Sequence, residues 1–164
     1  MRRLLSPFLA LLLLAVPFTT AAATDDFEYG NRKDMDTVAL DIKGIHRDLG
    51  TWNITVETLR ADLSKRLAAS GVRVIDISEL ASHPGADVIT LRLTLNRAPY
   101  YFYLYGLNMS MRNRLSLSPE GSGSTTIKTW SETQNGMLMP SDLGNIHRMS
   151  LQLLDNLLRE HGEG

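Results

Sequence analysis

From Thr37 to Ile45, the apolar residues Val38, Leu40 and Ile42 alternate with Ala39, Asp41 and Lys43, the period of two that marks a strand with one buried face. The period then changes. Val56, Leu59, Leu63 and Leu67 recur at helical spacing, with Glu57, Arg60, Asp62, Lys65 and Arg66 elsewhere around the wheel. Thr51, Asn53 and Thr55 are suitable N-caps, and Ser70-Gly71 is a suitable stop. A short strand follows over Val72 to Ile77, and Ser78 to Ala86 reads as a loop with room for a helical turn. Ile89, Leu91, Leu93 and Leu95 share one face of the next strand, opposite Thr90, Arg92 and Thr94. The chain turns at Asn96 to Pro99. Tyr100 to Leu117 then keeps a period of two, with Tyr101, Tyr103, Tyr105, Leu107, Met109, Met111, Leu115 and Leu117 on one parity.

Ser118 to Ser124 is a Gly- and Pro-containing loop, and Thr125 to Thr133 reads as a strand with Ile127 and Thr129 on one face and Trp130 on the other. Asn135-Gly136 predicts a tight turn. Ser141 or Asp142 caps a final helix striped by Leu143, Ile146, Leu153, Leu154, Leu157 and Leu158. The order β-α-β-β-β-β-α predicts an α+β fold: a mixed sheet containing an antiparallel meander, a right-handed first crossover, and both helices on one face. The expected domain spans 37–160, with a tail over 161–164.

The first residues belong to a different pattern. Arg2 and Arg3 precede an apolar run from Leu4 to Val16, and Ala21-Ala22-Ala23 offers the small residues of a cleavage site. This predicts a signal peptide over 1–23, a periplasmic location and a flexible leader over 24–36. The run is short of the ~20 apolar residues that span a bilayer, and no second apolar stretch approaches that length, so no integral membrane segment is expected after its removal. Without Arg2 and Arg3, 15 of the 17 basic residues face 18 acidic ones, a net of −3 with no basic stripe. Nucleic acid is therefore not an expected partner. The 43% hydrophobic content and small net charge exclude full-length disorder.

Candidate chemistry is sparse. With no cysteine, disulfides, thiolate metal sites and a cysteine nucleophile are all excluded. His46, His83, His147 and His161 show no metal-binding spacing, and no Gly-x-Ser-x-Gly elbow, Walker motif or dinucleotide fingerprint is present. Neither catalysis nor a resident cofactor is expected.

Two features stand out. Met109-Ser110-Met111 and Met137-Leu138-Met139 each place two thioethers on one side of an extended chain, a pattern that suits Cu(I); the parity of Met109 and Met111 places that pair in the core instead. In Tyr100-Tyr101-Phe102-Tyr103-Leu104-Tyr105 both strand faces are apolar. Tyr100, Phe102 and Leu104 then fall on the face without helices, either as an interface or beneath the leader or the loop before Ala86.

The strand Val38 to Ile45, the helix through Leu59-Arg60-Ala61-Asp62-Leu63, Gly71-Val72-Arg73-Val74-Ile75, Ala86-Asp87-Val88-Ile89 and the closing helix together resemble small bacterial envelope modules. These are the ABC-transport auxiliary lipoproteins and the N-terminal domain of the Tol-system periplasmic propeller protein. The resemblance implies an accessory domain that binds other envelope proteins and performs no chemistry. This sequence lacks the lipid-anchoring cysteine of the lipoproteins. The expected function is an exported, non-catalytic adaptor that binds another envelope protein, or itself as a homo-oligomer, through Tyr100, Phe102 and Leu104. The alternative is a periplasmic binder of a small ligand or of Cu(I) through Met109, Met111, Met137 and Met139.

Overall fold

The computed structural model describes residues 35–116 and 124–162. The expected signal peptide, most of the leader, residues 117–123 of the central loop and the last two residues lie outside them. The described residues run β1 (Thr37–Lys43), α1 (Val56–Ala69), β2 (Arg73–Ile75), β3 (Asp87–Ala98), β4 (Phe102–Ser116), β5 (Ser124–Leu138) and α2 (Asn145–Gly162). Short 3-10 turns occupy Arg47–Trp52, Ile77–Ser82 and Pro140–Asp142.

The fold is α+β, with a five-stranded mixed sheet in the order β2-β1-β3-β4-β5. β1 pairs parallel with both β2 and β3, and β3, β4 and β5 form the antiparallel meander. Parallel neighbours require a crossover, which α1 supplies between β1 and β2. Thr55 and Thr58 close a capping box at the start of α1. At its end Gly71 (φ 84°) adopts the left-handed conformation, and Val72 N–H reaches the Leu67 carbonyl at 3.0 Å while Gly71 N–H reaches Ala68 at 3.1 Å. That is a Schellman motif, and Val72 and Leu67 meet in the core beneath it.

One sheet face carries the core. Val38, Leu40 and Ile42, Ile89 to Leu95 at alternate positions, and Leu107, Met109 and Met111 pack against Leu59, Leu63 and Leu67 of α1 and Ile146, Leu153, Leu154 and Leu157 of α2. Both helices therefore lie on that face. The outer face is polar over most of its area, and a small second cluster of Ala39, Ile75 and Ala86 is closed there by Leu80 of the turn Ile77–Ser82. Arg114 holds that turn by donating from Nη1 to the Leu80 carbonyl at 2.9 Å.

Three local expectations are corrected. Asn135 and Gly136 do not turn; β5 runs straight through them, opposite Gly106 and Tyr105. Gly136 gives the Tyr105 ring room to lie across it, since a Cβ there would sit 3.0 Å from Tyr105 Cε1 and push the ring aside by a few tenths of an ångström. The β3–β4 turn is Pro99 to Tyr101, so Tyr100 and Tyr101 belong to the hairpin tip, and Tyr101 is not a core residue. The register also shifts by one between Met111 and Arg112, making Thr129 a bulged extra residue. That bulge lets Trp130 face the core beside Met111.

Candidate functional site

Pro99, Tyr100 and Tyr101 connect β3 to β4 without a glycine or asparagine. Tyr100 (φ 70°) and Tyr101 (φ 67°) both sit in the left-handed region, which bulky side chains rarely adopt. Their rings project outward, 87% and 75% exposed. Behind them Phe102 is half-buried, and Leu104 stands on the outer face in register with Met137 of β5. Leu104, Met137 and Met139 are 46%, 65% and 53% exposed. Seven large hydrophobic side chains are exposed among the described residues, and five of them gather at this end of the sheet.

The contrast with the rest of the outer face is sharp. Thr90, Arg92, Thr94, Asn108, Ser110, Ser131 and Thr133 cover it, and Asn108 Nδ2 donates to Ser131 Oγ at 3.1 Å and Thr133 Oγ1 at 2.7 Å. The loop before Ala86 does not cover the aromatic end. It packs over Ala39 and Ala86, next to Val88, and Ala98 at the tip is ten residue steps along β3 from Val88, about 33 Å of strand.

The base of the hairpin is fixed from the core side. Tyr103 Oη donates to Asp48 Oδ2 at 2.6 Å, tying β4 to the turn Arg47–Trp52. The phenol's hydrogen bond holds the Asp48 carboxyl below the usual carboxylate range, with His46, Arg47 and Arg97 adding to the effect against a smaller opposing effect of burial. The same bond raises the Tyr103 phenol above its ordinary value. Arg47 and Arg97, both exposed, thus lie at this end of the molecule.

The methionines do not come together as one thioether set. Met109 and Met111 are buried on the core face, whereas Met137 lies on the outer face and Met139 one residue past the end of β5. Among the described residues no three His, Asp or Glu side chains gather as a metal cluster.

A concave feature elsewhere was not visible in the sequence. A cleft of about 420 Å³ is lined by Trp52, Asn53, Ile54, Thr58, Asp62 and His147. His147 Nε2 lies 2.8 Å from Asp62 Oδ2, joining α2 to α1, and Arg66 Nε donates to Asp155 Oδ1 at 2.7 Å along the same seam. The cleft's hydroxyl, Thr58 Oγ1, accepts from Thr55 N–H at 2.9 Å and donates to the Asn53 carbonyl at 2.8 Å. It is engaged as a cap, so the imidazole–carboxylate pair has no hydroxyl to activate there. The pair clips the two helices together.

Sequence reasoning placed Tyr100 and Leu104 on the outer side but missed Tyr101, Met137 and Met139 as members of the same patch. Pro99 signals a turn, but nothing in Tyr100-Tyr101 shows that it continues through them, and the Asn135-Gly136 pair hides the register that sets Met137 beside Leu104.

No family model and no curated sequence matches the chain. Solved structures similar to it include the rare lipoprotein B from Shewanella oneidensis (14% identity, TM-score 0.38, covering 77% of this chain and 94% of that one). A PelC dodecamer from Paraburkholderia phytofirmans is similar at 11% identity and TM-score 0.44, over 79% of this chain and 89% of that one. Lipoprotein GNA1162 from Neisseria meningitidis is similar at 10% identity and TM-score 0.33, over 74% and 99%. Two of these three are bacterial lipoproteins. With every TM-score under 0.5, the likenesses are partial. No helix among the described residues is long and apolar enough to cross a membrane.

Proposed function

We propose that this chain is an exported, non-catalytic accessory module that docks on another protein of the cell envelope through the apolar end of its outer sheet face. The observation that carries this reading is the gathering of Tyr100, Tyr101, Leu104, Met137 and Met139, all exposed, at the end of a face that is otherwise polar. Full burial of such side chains is worth about 1.5–3 kcal/mol each, so a partner has reason to cover them. Tyr and Met are also enriched at the centres of interfaces. Export is supported by Arg2, Arg3 and the apolar run that ends at Ala23.

The test compares the wild-type chain with a variant carrying Leu104→Ser and Met137→Ser. Both are immobilised as bait for envelope extract, and the captured proteins are identified by mass. One specific partner retained by the wild type and lost by the variant, with melting temperatures unchanged, is the expected result. Equal capture by both sinks the reading. Binding of the wild type to anionic lipid vesicles, with no protein captured, replaces the protein partner with a membrane surface. Intact mass of the exported chain checks cleavage after Ala23.

A further inference from the structure

The two edges of the sheet are unlike. β2 is 3 residues long, and Leu80 of the adjacent turn packs on Ile75 at its end. β5 is 15 residues long and pairs only with β4 among the described residues, so alternate residues along it aim their N–H and C=O groups away from the sheet. Long free edges are normally blunted by proline, charge, a bulge or a cover. β5 has no proline, and its only charged residues are Lys128 and Glu132. The bulge at Thr129 separates these two. Glu132 is drawn toward α2, where Asn156 Nδ2 donates to both carboxylate oxygens at 2.9 and 3.0 Å. Between the bulge and the end of the strand, Trp130 to Leu138 therefore forms a regular nine-residue edge with a single, tied-back charge.

We infer that this edge pairs antiparallel with the same edge of a second copy, centred on Gln134, to make a continuous ten-stranded sheet. The centre follows from self-complementarity. A two-fold axis perpendicular to the sheet keeps each face on its own side, and Gln134 is the midpoint of Trp130 to Leu138. Gln134 then lies opposite itself, where a carboxamide donates and accepts at once. Thr133 lies opposite Asn135, Glu132 opposite Gly136, and Trp130 opposite Leu138 at both ends of the seam. Other centres are worse. A centre at Glu132 stacks two carboxylates, one at Thr133 carries the pairing into the bulge, and one at Asn135 sets Glu132 against Leu138. The seam shares Met137, which falls opposite Ser131, with the apolar end, whereas Tyr100, Tyr101 and Leu104 lie on the hairpin tip and β4 and stay open in the dimer.

The test is sedimentation of the full chain across roughly 1–100 µM, a span that brackets micromolar dissociation constants. A monomer–dimer equilibrium is expected. Gln134→Lys places two ammonium groups across the axis and should weaken the dimer at least about tenfold. Gln134→Glu should do the same, and an equal mixture of the two variants should restore a heterodimer. If Gln134→Lys does not fold, Thr133→Lys with Asn135→Lys, at two exposed positions of the same seam, should give the monomer instead. Thr126→Lys, exposed on the other side of the bulge, should leave the equilibrium unchanged. A wild-type chain that stays monomeric throughout overturns the inference, as does a dimer indifferent to the seam variants. A dimer lost with Tyr101→Ser and Leu104→Ser, both outside the seam, yet kept in Gln134→Lys, also overturns it and moves self-association to the apolar end.

Discussion

Replacing Tyr100 by Asn and Tyr101 by Gly should make the monomer more stable while removing its ability to bind. Both tyrosines hold positive φ, and left-handed backbone costs a residue with a Cβ about 1–2 kcal/mol. Asn adopts that conformation with less penalty. Gly adopts it freely but loses roughly 0.5–1 kcal/mol of chain entropy on folding. Neither ring is buried, so the change removes almost no packing. The balance is a gain of about 1–2 kcal/mol, or roughly 4–8 °C in the melting temperature of a domain this size. Calorimetry of both proteins measures the gain, and capture of the partner measures the loss. Stability and binding should move in opposite directions, which is what a strained tip kept for contact requires. A variant that melts below the wild type would refute the reasoning, because the tyrosines would then be supporting the fold.

Tyr103→Phe removes the bond that lowers the Asp48 pKa and raises that of Tyr103. The lowered carboxyl contributes stability above about pH 4 that is lost as pH falls through its folded pKa, and the raised phenol contributes stability lost only as pH rises past about 10. Urea titrations should therefore show the variant weakened at pH 7 and the difference shrinking at pH 3; an equal difference at both would contradict the assignment. Gly44→Ala should cost at least about 2 kcal/mol by thermal melt, because Gly44 has φ 79° and an added Cβ would collide with the Leu93 carbonyl oxygen. Met109→Leu with Met111→Leu should cost less than about 1.5 kcal/mol per site and leave partner capture intact, since both side chains are core filling. Loss of capture in that double variant would contradict their placement.

The helices and the core face were legible in the sequence because each follows from local spacing. Leu59, Leu63 and Leu67 recur on one stripe, Gly71 is the residue a left-handed cap requires, and the alternation from Ile89 to Leu95 permits one inward face. The tip was not legible, since Pro99-Tyr100-Tyr101 contains none of the residues that relieve positive φ. Asn135-Gly136 misleads for the opposite reason. It carries hairpin chemistry, but Gly136 serves the Tyr105 ring across the strand, a demand set by a residue 31 positions earlier. The strand order was equally hidden, because nothing in β1 says that β3 pairs on its other side. The apolar end unites residues from the β3–β4 hairpin and the end of β5. Of its five exposed members only Tyr100 and Leu104 were found from the sequence, with the half-buried Phe102 beside them.

The most direct test of the apolar end is a photocrosslinking scan of the outer sheet face in intact cells. A photoreactive amino acid is placed in turn at Tyr101, Leu104, Met137, Arg92 and Thr133. Positions 101 and 104 should give one discrete adduct of the same partner mass, position 137, shared with the seam, should give that adduct together with the self-adduct, and position 92, in the polar region, gives none. Position 133 should give a self-adduct of twice the chain's mass where the edges of two copies pair. Adducts of equal yield at 92 and 104, or none at the apolar end while other positions react, would contradict the assignment of that end as the docking surface.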